Sequence, residues 1–238
     1  MRRRFFVDGI HSGQAEIKGE DAKHLTRVLR VEVGQQYEIS DNRQVYLAQV
    51  ETARKEHVTF KLIEKLPVVE PPVRLILCAA LIKFDHFEWM IEKATELGVA
   101  EIYPVITIRT ERGLDKAAPK RLERWRRIGV EASQQSRRAH LPEIHECLPW
   151  REALSIAADH RYVLDEEAGG VPLLRVFPET RAAEDRVAFL IGPEGGFTEL
   201  ERADFQTAAW TRVTMGPLIL RAETAALAAL SVAHAAWL

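Results

Sequence analysis

Val187-Ala188-Phe189-Leu190-Ile191-Gly192-Pro193-Glu194-Gly195-Gly196-Phe197-Thr198 is the stretch whose reading decides the fold. Five consecutive apolar residues stopped by a glycine predict a strand covered on both faces. The glycines that follow permit positive φ and let backbone approach a ligand closely. Thr198, with Glu201 after it, has the spacing of a capping box and starts a helix to about Ala209. The same order recurs downstream. Arg212-Val213-Thr214-Met215 is a short strand, Gly216-Pro217-Leu218-Ile219-Leu220 a loop, and a last helix runs from about Ala222 to Trp237. Two strand-to-helix loops of small residues predict a pocket at the strand ends of an α/β sheet.

Upstream, the run Val73 to Leu81 reads as another doubly covered strand, followed by a helix from Phe84 to Leu97. Phe87, Met90, Ile91, Ala94 and Leu97 form its apolar stripe. Asp85 and Glu88 suggest a capping box, and Gly98 suits the C′ position. Ile102-Tyr103-Pro104-Val105-Ile106 is a strand whose proline places it at an edge or a strand end. A long helix spans Pro119 to Arg138, with Leu122, Trp125, Gly129 and Ala132 facing inward, and Tyr162 to Asp165 is a strand. Strands alternating with helices predict a mainly parallel sheet. Residues 1–70 read differently. Tyr37–Ser40, Gln44–Val50 and His57–Ile63 are short β segments, and Glu20 to Arg30 is a helix with Ala22, Leu25, Val28 and Leu29 on one face. Leu66-Pro67-Val68-Val69-Glu70-Pro71-Pro72 carries three prolines and marks a boundary near residue 70. The chain is thus read as a small β-barrel over 1–70 and an α/β domain over 71–238.

With 238 residues, 47% of them hydrophobic, the chain can bury a sizeable core, and its net charge of −2 excludes a globally basic coat. Cys78 and Cys147 form no metal-type pair, the histidines have no ligand spacing, and neither a disulfide scaffold nor a metal site is expected. No secretory leader and no membrane-length apolar run is read, so a cytoplasmic location is expected. Positive charge is local. Glu111 to His140 holds nine Lys and Arg, Arg137 and Arg138 among them, against four acids, which predicts a polyanion contact or a solvated helix face. Arg2, Arg3 and Arg4 form a second cluster.

The Gly192–Gly196 turn fits neither a dinucleotide nor a nucleoside-triphosphate loop, because Gly-x-Gly-x-x-Gly and Gly-Lys-Ser/Thr are both absent. It is either a ligand-binding turn or simply a tight one. Arg221 and Glu223, at the entrance of an apolar helix, are either a dipole-complementing pair or a site for a group that develops negative charge. Asp165 and Glu166 follow a strand and are positioned either to line a pocket or to make an ordinary turn.

Taken together, Arg4–Val7, His24–Arg30, Ile91–Val99, Glu131–Ser136, Leu190–Phe197 and Gly216–Ala226 resemble the 16S ribosomal RNA uridine N3-methyltransferases of the SPOUT (trefoil-knot) superfamily, from end to end and in family order. The resemblance implies a PUA-like RNA-binding β-barrel at the N-terminus and an α/β domain with a deep trefoil knot, a topology that general chain-threading rules disfavour. It implies S-adenosylmethionine held by Leu190, Gly192, Pro193, Glu194, Gly195 and Gly196 in the first loop. Met215, Gly216, Leu218, Leu220 and Thr224 would hold it from the second. Small-subunit ribosomal RNA is the implied partner, contacted by Arg3, Arg4, Arg27, Arg30, Lys83, Arg137 and Arg138. A homodimer is implied, with no membrane and no metal. Arg221 is expected to stabilise the anionic pyrimidine and Glu223 is the candidate base. Lys83-Phe84-Asp85 departs from the family pattern, which has glycine where Phe84 stands. A rival reading is an RNA-binding module without activity.

Overall fold

The computed structural model describes residues 3–167 and 169–238. Arg2, from the terminal arginine cluster, lies outside them. The chain divides into two compact units, Met1–Glu70 with Ser133–Leu141, and Pro71–Ala132 with Pro142–Leu238.

In the first unit, β1 (Arg4–Phe6), β2 (Ile10–His11), β3 (Gln14–Lys18), α1 (Gly19–Arg27), β4 (Gln36–Ser40), β5 (Val45–Arg54) and β6 (His57–Leu66) follow in order. The strands form one sheet in the order β1-β4-β5-β6-β3-β2. Alternation sets its faces. In β3, Ala15 and Ile17 are buried while Gln14, Glu16 and Lys18 are exposed. Phe5, Ile39, Val50, Val58 and Phe60 build the core with Ala22 and Leu25 of α1. The helix is shorter than its sequence predicts. Arg30 takes φ 51°, which no α-helix continues through, and Val28 is exposed rather than on the inward face.

A polar cluster explains why Ser133–Leu141 belongs to this unit, which the sequence does not reveal. Arg4 donates to Glu38 from Nε at 3.0 Å and Nη2 at 2.7 Å, and from Nη1 to the Arg137 carbonyl at 2.6 Å. Arg137 also pairs with Glu38. Ser40 Oγ donates to the Ala139 carbonyl at 2.7 Å, and the Leu141 amide to Asn42 Oδ1 at 2.7 Å. Arg4 and Arg137, expected on the surface, are instead joined on one buried carboxylate.

The second unit contains β7 (Arg74–Ala80), α2 (Phe84–Glu96), β8 (Glu101–Ile106), α3 (Leu114–Ala117), a 3-10 turn (Ala118–Arg121), α4 (Leu122–Ser136, whose last turn falls in the first unit), β9 (Glu143–Ile144), β10 (Leu148–Pro149), α5 (Trp150–Leu154), β11 (His160–Leu164), β12 (Val171–Pro172), α6 (Leu173–Val176), β13 (Arg186–Ile191), α7 (Glu199–Thr207), β14 (Thr211–Thr214) and α8 (Ala222–Ala236). Its strands run β10-β8-β7-β13-β11-β14-β12, with β9 also on β8, and all pairings are parallel. Both faces are covered. Leu75, Leu77, Val187 and Phe189 pack with Phe87, Trp125, Ala226 and Leu230. Ile76, Cys78, Ala188 and Leu190 pack the other way, with Phe197, Phe205 and Trp210.

Pro104 is not on an edge strand, yet its missing donor is accommodated. On that side of β8, β9 pairs Glu101 and Ile102 while β10 pairs Val105 and Ile106, leaving Pro104 between the two short strands. The expected cap of α2 does not form. No side chain caps Lys83, and Glu88 pairs instead with Arg124 at 2.8 Å and Arg121 at 3.4 Å.

Glu101, at the start of β8, ties three strands. Arg74 of β7 reaches it at 2.9 Å, Arg186 of β13 at 3.3 Å, and Tyr103 donates to it at 2.7 Å. Burial raises its pKa, but the Tyr103 hydroxyl and Arg74 outweigh that and hold it below the usual carboxylate value. A depressed pKa stabilises the fold above the unfolded-state value, and that contribution is lost as pH falls through the folded one. Denaturation of wild type and Glu101→Gln should therefore show a stability gap at pH 7 that narrows as pH falls below the usual carboxylate range. A gap independent of pH would refute the linkage.

Candidate functional site

Three strands of the second unit end where the sequence turns to a carboxylate or comes to a glycine. β13 meets Gly192, β14 meets Met215-Gly216, and β11 meets Asp165. At these ends lies a cavity of about 740 Å³. Leu164, Asp165 and Glu166 form one wall and Gly192 to Gly196 another. Met215 to Leu220, Arg221, Ala222 and Ala225 close a third side, and Lys83 and His86 face it from the start of α2. The two loops singled out in the sequence thus share one cavity. Of the expected site residues, Gly192, Pro193, Glu194, Gly195, Gly196, Met215, Gly216, Leu218, Leu220, Arg221 and Lys83 line it.

Three of the residues expected to bind the cofactor or act in catalysis do not. Leu190 is fully buried within β13, because strand alternation turns it into the core beside Phe197 and Phe205. Thr224 is exposed outside the lining, and Glu223 is buried in the first turn of α8. Glu223 is the partner of His86, its Oε1 lying 3.1 Å from Nδ1.

The walls are held by polar contacts that sequence spacing cannot give. Asp165 is fully buried, with Arg202 of α7 at 3.0 Å and Arg212 of β14 at 2.9 Å. The Asp165 hydrogen bond raises the pKa of Arg202, against the opposing effect of burial. Arg109 Nη1 donates to the Gly195 carbonyl at 2.5 Å and to that of Phe197 at 3.3 Å. The capping box forms as expected: the Glu201 amide donates to Thr198 Oγ1 at 3.3 Å and the Thr198 amide to Glu201 Oε2 at 2.8 Å. Glu201 also accepts from the Ile108 amide at 2.8 Å, so the loop after β8 braces the glycine turn twice. Sequence alone does not single out Arg109, Arg202 and Arg212, since nothing local marks which arginines reach across a sheet.

Phe84 starts α2 with its ring 5.9 Å from that of Trp125 and 5.0 Å from the Arg121 guanidinium carbon. The other expected cationic residues lie elsewhere. In the first unit Arg3, Arg27 and Arg30 are exposed, while Arg138 is part-buried, its pKa pushed down to about 10 by burial.

An RNA methyltransferase domain family matches residues 69–234, and an RNA methyltransferase PUA domain family matches 17–63. The Ribosomal RNA small subunit methyltransferase E of Bacillus subtilis is 31% identical over 224 residues, covering 90% of this chain and 87% of that protein. This chain belongs to that RNA methyltransferase family. Solved structures of similar proteins agree with it. The Neisseria gonorrhoeae ribosomal RNA small subunit methyltransferase E, bound to S-adenosyl methionine, superposes with a TM-score of 0.88 at 27% identity, covering 100% of this chain and 98% of its own. A Legionella pneumophila structure with bound SAM gives 0.90 at 29% identity, covering 99% and 98%. The first unit therefore contains a PUA domain and the second an RNA methyltransferase domain.

Gly196 is the tightest point of this family's glycine turn in the present chain. Its φ is +67°, and a Cβ there would lie 1.8 Å from Glu166 Oε1. Gly196→Ala should destabilise the protein by about 1–3 kcal/mol from backbone strain and the displaced carboxylate. Adding Glu166→Ala should recover part of that loss, measured by chemical denaturation. Equal stabilities for the single and double variants would show that Glu166 does not confine the turn.

Proposed function

We propose that this chain methylates N3 of a uridine in the 16S RNA of the small ribosomal subunit, with S-adenosylmethionine as the methyl donor. The observation that carries this is the convergence of Gly192–Gly196 and Met215–Arg221 on one cavity, in a chain of the RNA methyltransferase family. The cavity fits the donor. Its volume of about 740 Å³ lies within the range of small-ligand sites. Gly192, Gly195 and Gly196 let backbone amides and carbonyls come close to a ligand, and Met215 and Leu220 offer apolar contact. When bound, S-adenosylmethionine supplies a methyl group on a sulfonium.

The protein's own residues hold and polarise the acceptor. N3 of uridine carries an imide proton, and its removal spreads negative charge onto the flanking carbonyl oxygens. Arg221 is the N-cap residue of α8, exposed and on the cavity lining, where its guanidinium stabilises that charge. Lys83 faces the same cavity and adds positive charge near it. The target base leaves its stack to enter. Exposed Arg3, Arg27 and Arg30 give the PUA-bearing unit a phosphate-binding role, with a β-barrel within residues 1–70 and the methyltransferase domain within 71–238, Ser133–Leu141 apart.

The threading of this domain as a trefoil knot is part of the same reading. After β14, which β11 and β13 separate from β7, the chain crosses the cavity rim and α8 packs on α2, β7 and β13. That return is what a chain tucked under its own glycine loop requires. Leu218 and Ile219, about four-fifths exposed on the rim, are apolar residues a second copy would cover, so the active form is a homodimer. A ribosomal RNA substrate supports a cytoplasmic location. No helix among the described residues is long and apolar enough to cross a membrane.

Arg221→Ala should keep its affinity for S-adenosylmethionine by calorimetry and lose methyl transfer by about 10²–10³-fold, as when one charge-stabilising donor is removed. Unchanged turnover would refute the role of Arg221. Mass mapping of small-subunit RNA from cells with and without the protein tests the activity itself. Arg27→Glu with Arg30→Glu should weaken binding of an rRNA fragment and reduce the salt slope by about one per lost phosphate contact. An unaltered slope would remove those residues from the interface.

A further inference from the structure

Glu223 is a poor candidate for touching the acceptor, because it is buried and absent from the cavity wall. His86 is on that wall, and Glu223 Oε1 is 3.1 Å from its Nδ1. The two residues come from different helices, His86 from the first turn of α2 and Glu223 from the first turn of α8. A buried carboxylate can only accept a hydrogen bond, so Nδ1 donates to Glu223 and the tautomer is fixed with hydrogen on Nδ1. Nε2 is then left with its lone pair. Asp85 Oδ2 lies 3.8 Å from it, outside hydrogen-bond distance.

We infer that His86 is the proton acceptor for the pyrimidine imide, and that Glu223 is a positioning residue acting through it. This inference rests on the proposed uridine N3 methylation and names the base that reaction lacks. The N3–H bond breaks, its proton passes to His86 Nε2, and the electron pair stays on the pyrimidine, shared between N3 and the carbonyl oxygens beside Arg221. The imidazolium so formed lies between the Glu223 and Asp85 carboxylates and returns its proton to solvent. The charges around the ring are Asp85 on its own helix, Glu223 on α8, and Lys83 and Arg221 on the adjoining cavity wall. Asp165, Glu166 and Glu194 also line the cavity.

A histidine with this role differs from one that merely clamps α2 to α8. In the wild type, the single-turnover rate should rise with pH as the proton acceptor loses its proton and then level off. His86→Asn should bind S-adenosylmethionine as the wild type does, lose about 10²–10⁴-fold in rate at neutral pH, and lose that rise. Glu223→Gln is nearly isosteric, and its amide can donate to Nδ1, moving the ring proton to Nε2. Nitrogen NMR of His86, which needs no turnover, should show hydrogen on Nδ1 in the wild type and its loss from Nδ1 in Glu223→Gln, with a parallel fall in rate. A clamp alone would lower the melting temperature of either variant and leave the pH dependence in place. If wild-type protein methylates the RNA while His86→Asn keeps its rate and pH profile, the relay is wrong and the proposed activity stands. If the wild type binds donor and RNA but transfers no methyl group, the activity itself is wrong. In that case a wild-type Nδ1–H that Glu223→Gln abolishes would support only the tautomer assignment, and the relay falls with the activity.

Discussion

A single carboxylate, Asp165, sets the geometry of the cavity. It follows β11 with its side chain fully buried, and it receives Arg202 from α7 and Arg212 from β14. Those partners lie on the segments that follow and precede the two glycine loops. An uncompensated buried charge would cost several kcal/mol, so the carboxylate holds both arginines near it. Such a network adds less to net stability than to uniqueness, because an apolar substitute of equal volume often stabilises as well. Its value here is registry. The end of β11, the strand β14 and the helix α7 are fixed against one another, and the loops between them have little freedom in where they meet.

The glycine turn is then supported from the opposite side. Arg109 bonds the carbonyls of Gly195 and Phe197, and the Glu201 carboxylate joins the Ile108 amide to the Thr198 cap. A turn rich in glycine loses much conformational entropy on ordering, and these contacts offset that loss before any ligand arrives. The resulting cavity is polar in a graded way. Glu166 and Glu194 line it on the side of β11 and β13, while Arg221 and Lys83 lie at the helix starts. A cationic donor and an acceptor that becomes anionic suit opposite ends of such a field.

The sequence made local features legible and left tertiary ones dark. Thr198 and Glu201 could be read as a cap because capping is decided within four residues, and the apolar runs of β7 and β13 because burial on both faces leaves no alternation. Asp85 and Glu88 had the same spacing, but Arg121 and Arg124 compete for Glu88 from another segment, and the longer-range pairs win. Arg4 and Arg137 looked like surface charge because their shared partner, Glu38, lies far from both in sequence. Leu190 was placed on the ligand side by resemblance, whereas strand alternation turns it into the core. Glu223 could be seen at a helix entrance, yet only the packing of α8 beside α2 shows that it faces His86.

The start of α2 brings these threads together at Phe84. A glycine is needed where backbone enters the left-handed region or where a Cβ has no room, and among the described non-glycine residues with positive φ, Phe84 is absent. The position therefore imposes no conformation that only glycine can adopt. Its ring extends an aromatic contact through Trp125 to Phe87 and lies under Arg121, which is also held by Glu88. An anchored first turn fixes the direction of its neighbours. Lys83 and His86, on either side of Phe84 and Asp85, both face the cavity. The aromatic residue thus supplies by packing a rigidity that glycine would not, and it does so where the orientation of the His86 ring matters most.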